Sequence, residues 1–115
     1  MNIQPLPASF EGKGEVKGYS FLQIKDAGVG YIYEKINKGS GQVHFEVFKK
    51  KIIQKFDWDT KKPIPNEYKI KYPNTVDFGK WAWCVTTLAQ AEKYIKKFND
   101  EYEGDTISTQ FHETK

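Results

Sequence analysis

Phe78–Phe98, FGKWAWCVTTLAQAEKYIKKF, holds two of the three tryptophans, the only cysteine and the only long helical pattern of the chain. In Trp81-Ala82-Trp83-Cys84-Val85 the large side chains recur at every second position, the period of a strand with one packed face. Thr87-Leu88-Ala89-Gln90 reads as a capping box, because a Thr hydroxyl accepts from the backbone N–H three residues on while Gln90 reaches back. Beyond it Leu88, Ala91, Tyr94, Ile95, Phe98 and Tyr102 recur at spacings of three and four, with Gln90, Glu92, Lys93, Lys96 and Lys97 opposite. One stripe is apolar and the other is wet. The stretch predicts a strand, a cap and an amphipathic helix from about Leu88 to Glu101, lying across a sheet with Trp81 or Trp83, Leu88, Ile95 and Phe98 beneath it.

The 115 residues fit one domain, large enough to remove about two-thirds of its unfolded surface from water. An aromatic content of 16% predicts an aromatic-heavy core. A single cysteine forbids an intrachain disulfide and a multi-cysteine metal site, and MNIQPLPASF has neither the basic start nor the apolar run of a secretory signal. A reducing, cytoplasmic setting is expected. No stretch reaches the 18 or so apolar residues of a membrane span, so no membrane partner is expected. All 18 basic residues are lysines. Without arginine the planar fork that reads guanine edges is missing, which disfavours sequence-specific duplex recognition. From Lys35 to Lys71 ten lysines face Glu46, Asp57, Asp59 and Glu67, a local +6, whereas Phe98 to Lys115 carries five acids against one lysine, a local −4.

Residues 1–14, with Pro5, Pro7, Gly12 and Gly14, read as an extended N-terminal arm, and 15–103 as a single α+β domain. Val16 to Ile24 is aromatic and β-branched, Asp26-Ala27-Gly28 is a turn, and Val29, Tyr31 and Tyr33 resume a period of two, so a hairpin is predicted. Asn37-Lys38-Gly39-Ser40-Gly41 marks the next turn, after which Val43, Phe45 and Val47 alternate with His44 and Glu46. Ile52, Ile53 and Phe56 read as a continuation or bend of that third strand, and 57–65 as a loop. Tyr68, Ile70 and Tyr72 alternate with Lys69 and Lys71 as a short lysine-faced edge strand. Residues 104–115 form a polar tail. The expected architecture is α+β: a single antiparallel sheet of four to five strands with one C-terminal amphipathic helix packed on one face.

The residues of catalysis are sparse. Cys84 and His44 both fall in predicted strands, but nothing fixes their register, and a lone cysteine between Trp83 and Val85 reads as a small core residue with an inert thiol. His44 and His112 are too far apart in sequence to frame a zinc site. Asp57-Trp58-Asp59 begins like a calcium loop, yet Lys61 and Lys62 occupy the third-ligand and glycine positions and Tyr68 the twelfth. Gly12-Lys13-Gly14 and Gly39-Ser40-Gly41 lack the spacing of phosphate loops and read as turns. No enzyme activity and no cofactor are expected.

What remains is a mixture of lysines and rings. Lys49, Lys50, Lys51, Lys69 and Lys71 with Tyr68 and Tyr72 are the candidate nucleic-acid-binding residues, since single strands are held by cations along the backbone and ring faces under the bases. The expected function is a small non-enzymatic module binding single-stranded DNA or RNA. The alternative is a protein-interaction or structural accessory protein whose aromatics form a core or a homodimer interface. Exposed Tyr and Trp interleaved with lysine favour the first, and rings buried in a chain-to-chain contact favour the second.

GKGEVKGYSFLQI, YIYEK, HFEVFKKK and FGKWAWCVTTLAQAEKYIKKF resemble a group of small uncharacterised proteins encoded by Bacteroidetes and their phages, over most of residues 12–98. That resemblance implies a compact intracellular or phage-accessory protein and assigns no chemistry to any residue. By topology, four or five strands followed by one helix are similar to the transcriptional-coactivator and Whirly class of single-stranded DNA binders, a likeness of fold that does not carry function with it.

Overall fold

The computed structural model describes residues 2–113, with side chains described through Glu101; the side chains of Tyr102 and of the acidic tail, His112 included, fall outside the described residues. Eight strands and one long helix form an α+β fold with two sheets rather than the expected one. The strands are β1 (Asn2–Gln4), β2 (Ser9–Glu11), β3 (Tyr19–Asp26), β4 (Gly30–Asn37), β5 (Val43–Lys49), β6 (Ile52–Asp57), β7 (Lys62–Ile70) and β8 (Ala82–Val85), followed by α1 (Leu88–Glu113). The larger sheet is antiparallel in the order β2-β3-β4-β5-β8, and the smaller has the order β1-β7-β6 with β1 parallel to β7. Residues 1–14 supply one strand to each sheet, β1 to the smaller and β2 to the larger.

Turn chemistry sets the hairpins. Asp26 Oδ1 accepts from the Gly28 N–H and Gly28 sits at φ 80°, while Asn37 Oδ1 accepts from Gly39 and Ser40 ahead of Gly41 at φ 76°. These are Asx turns closed by glycines in the left-handed region. A third one was not anticipated. Asp57 Oδ1 accepts from Asp59 and Thr60, and Lys61 at φ 57° completes a hairpin between β6 and β7 where a loop was expected. Pro63 and Pro65 are unusual in a strand, because proline removes a ladder donor. They are tolerated because β1 pairs only with Glu67, Tyr68 and Lys69, leaving β7 with a single neighbour at the prolines. Tyr68 and Lys69 are therefore in a central strand, and the edges are β1 and β6.

The five-stranded sheet is packed on both faces. On one side α1 seats Ala91, Ile95 and Phe98 on Ile32 and Val47, and Trp83 stacks on Tyr94 with ring centroids 4.8 Å apart. Leu88, expected in this layer, is exposed at the start of the helix. The cap forms as predicted, with Gln90 N–H donating to Thr87 Oγ1 at 3.2 Å and Gln90 Oε1 accepting from the Thr86 and Thr87 backbone. The helix runs on to Glu113 instead of stopping near Glu101; Gly104 alone costs a helix only about 1 kcal/mol, and no proline follows it. On the other side Phe21, Tyr31, Tyr33, Phe48, Trp81 and Ala82 form a second cluster, roofed by Leu6, Phe10, Val16, Tyr72 and Phe78. Trp81 and Trp83 thus serve opposite faces.

Candidate functional site

The residues expected to bind nucleic acid lie along the junction between the two sheets, and most of them have partners within the chain. Lys49 Nζ is 2.7 Å from Glu101 and 5.5 Å from the centre of the Phe98 ring. Lys50 is 2.8 Å from Asp26 and lies over Tyr31, and Lys71 is 3.3 Å from Asp77. Lys51 and Lys71 approach the same Trp81 ring, at 5.1 and 5.9 Å, while the Lys71 N–H donates to the Lys51 carbonyl at 2.8 Å. A cation over a ring contributes about 0.5–1 kcal/mol at exposed sites, and an exposed ion pair less than about 1 kcal/mol. The Lys51 and Lys71 contacts with Trp81 and Asp77 tie the chain flanking the smaller sheet to the larger unit, while those of Lys49 and Lys50 lie within the larger unit. Asp26 and Asp77 are held below the usual carboxylate range, Asp26 first by Lys50 and Asp77 first by the Asn74 backbone N–H, with Lys71 adding to it. Only Lys69 and Tyr68 lie out on the smaller sheet, Lys69 exposed and Tyr68 half-buried.

Tyr72 is turned inward. Its ring meets Phe10, Tyr33 and Phe48 edge-on at 5.2, 5.2 and 4.8 Å, so its faces are not available to a base. Its hydroxyl donates to Glu46 Oε1 at 2.7 Å, and Lys35 Nζ lies 3.5 Å from Glu46 Oε2. Glu46 is only 5% exposed. Burial, then the Glu46 charge, pushes the Tyr72 phenol far above its ordinary value. A strand with one wet face would have turned Glu46 to solvent; here both faces are covered, and the carboxylate is satisfied by a phenol and an ammonium.

This network lines an open cleft of about 970 Å³ together with Phe10, Phe21 and Cys84. The strand register sets Cys84 opposite Glu46 on β5, with His44 one same-face position further along. Cys84 is exposed rather than packed in the core as expected. The cleft walls, and the nearby Glu46, nevertheless raise its thiol pKa, the opposite of what a nucleophile needs. Among the described residues no three His, Cys, Asp or Glu side chains gather as metal ligands, and no helix is long and apolar enough to cross a membrane.

No protein-family model, curated protein or solved structure matches the chain. The smaller sheet carries the feature that the sequence did not disclose. None of the residues in β1, β6 and β7 is buried. Ile3, Ile52, Ile53 and Phe56 are exposed, and Trp58, at the hairpin tip, is 81% exposed with its ring edge-on to Phe56 at 4.8 Å. Among the described residues these are five of the ten exposed large apolar side chains; Leu22, Ile24, Val43, Val76 and Leu88 lie elsewhere. Ile52-Ile53 was visible in the sequence. The hairpin that displays it was obscured by Pro63 and Pro65.

Proposed function

We propose that this protein is a small non-enzymatic binding module of the cytoplasm whose contact surface for protein is the three-stranded sheet. The observation that carries this is a sheet without one buried residue that exposes Ile3, Ile52, Ile53, Phe56 and Trp58. A two- or three-stranded sheet needs an apolar face covered to be stable, and this one lacks a cover. Aliphatic side chains have no ring face on which a base can stack, whereas they are ordinary components of the dehydrated centre of a protein interface. The rings that nucleic acid would require, Tyr31, Tyr33 and Tyr72, are spent on the core, and Lys49, Lys50 and Lys71 are neutralised by Asp or Glu.

One observation favours nucleic acid as the second reading: Trp58, nearly bare, shares the hairpin with Lys55, Lys61, Lys62 and Lys69. Titration of a labelled single-stranded oligonucleotide separates the two. Protein binding alone predicts no detectable complex at low salt, where the electrostatic attraction is greatest. A complex whose affinity falls with salt at a logarithmic slope of roughly −2 to −3.5, as three to five phosphate contacts would give, and which is lost in Trp58→Ala, overturns the protein reading.

A further inference from the structure

We infer that the occupant of the three-stranded sheet is a second copy of this chain, packed face to face through one side of that sheet. The pairing register sorts the side chains. Ile52 lies opposite Ile70, and Gln54 opposite Tyr68, which in turn lies opposite Ile3. Residues directly opposite share a face, so Ile3, Ile52, Gln54, Tyr68 and Ile70 point to one side. Ile53 lies opposite Lys69, which lies opposite Gln4, and Glu67 lies opposite Asn2; these point to the other. In a chain that is 29% charged, the first face carries no charged residue and the second carries both signs.

An uncharged face excludes electrostatic recognition of an acidic or basic partner, because burying an unpaired charge against it would go uncompensated. The partner surface must itself be apolar and uncharged. This uncharged face is itself a surface of that kind, and a twofold axis brings it onto its own copy without any other complement. The apolar row is also continuous with the core, since Ile70 packs against the Phe21–Trp81 cluster while its pairing partner Ile52 and Ile3 on β1 are 53% and 39% exposed. Two copies facing each other would extend that packing outward as a two-layer sandwich. Three short strands offer less than the roughly 800 Å² per partner of a standard interface, so the dimer is expected to be concentration-dependent.

The inference rests on the sheet being a protein-binding surface, and the experiment keeps the two apart. Sedimentation equilibrium of the full chain over a wide concentration range should show a mass rising from 13.4 kDa towards twice that value. Ile52→Lys should hold it at the monomer mass, and Ile53→Lys, one residue away on the opposite face, should leave association unchanged. Circular dichroism and thermal melts of both variants check that each still folds, and Ile3→Lys repeats the test from β1. A wild-type chain that stays monomeric overturns self-association, as does equal loss of association in both variants. In the monomeric case, an apolar fluorescent dye decides the fate of the sheet as a surface. Dye bound by wild type and lost in Ile52→Lys keeps the binding surface and assigns it to a different protein, whereas no dye binding removes the surface as well.

Discussion

The two sheets of this protein are built from strands of similar length and end in opposite states. In the five-stranded sheet Tyr31, Ile32, Tyr33, Val47 and Phe48 are almost wholly removed from water, because α1 covers one face and the Phe10–Tyr72 roof the other. In the three-stranded sheet nothing is buried, and it is joined to the rest by three chain crossings and by lysines resting on Trp81. Backbone pairing is common to both sheets. The difference shows that pairing alone does not pack a sheet, and that apolar side chains left over after the core is complete are where a small protein has surface to offer.

The contrast is broken most sharply by truncation. Phe98→Ala removes a ring that is 3% exposed and packed on Trp83 and Ile32, at a cost of about 3–5 kcal/mol. The melting temperature should fall by more than roughly 10 °C. A shift too small to measure would mean that α1 does not hold the larger sheet. Tyr72→Phe keeps the ring and deletes the hydroxyl that satisfies Glu46, leaving the carboxylate with Lys35 alone. A buried acceptor that loses a partner costs about 1–3 kcal/mol, so chemical denaturation should show a lower midpoint with an unchanged slope.

Alkali acts on the same region. Burial raises the phenols of Tyr31, Tyr33 and Tyr72, and the cleft walls with Glu46 raise the thiol of Cys84, above their ordinary values. The folded chain therefore keeps protons that the unfolded chain releases, and the stability these groups confer is whole below about pH 8 and declines as pH rises beyond about 9. Each such group steepens the loss by up to about 1.4 kcal/mol per pH unit, and Tyr72→Phe should shallow it. Urea unfolding between pH 8 and 11 measures this, and a flat profile would deny the burial of the phenols. The smallest effect belongs to the other sheet. Ile52→Lys and Ile53→Ser should change monomer stability by no more than about 0.5 kcal/mol, because neither side chain is buried.

The helix and its seat were legible because Thr87, Gln90 and the Ala91–Ile95–Phe98 stripe all signal locally. The hairpins around Gly28 and Gly41 were legible for the same reason. What escaped depended on contacts distant in sequence. Glu46 looked like the wet side of a strand, and only the roof formed by Phe10, Val16, Phe78 and Tyr72, which follows β7, makes that side interior. Lys49, Lys50, Lys51 and Lys71 had the composition of a phosphate-binding run, but composition does not reveal that Glu101, Asp26, Trp81 and Asp77 come to meet them. The second sheet was missed because Asn2–Gln4 pairs with a strand more than sixty residues away, and prolines hid that strand's first half.

Native-state hydrogen exchange, read peptide by peptide at low protein concentration, tests the inequality of the two sheets most directly. Amides of β4 and β5 should exchange only through global unfolding, while those of β6 and β7 exchange through local opening at a far smaller free energy and gain protection as concentration rises. Equal protection of both sheets in the dilute monomer would contradict it, because a sheet without buried residues could not then be the weakly held, uncovered one.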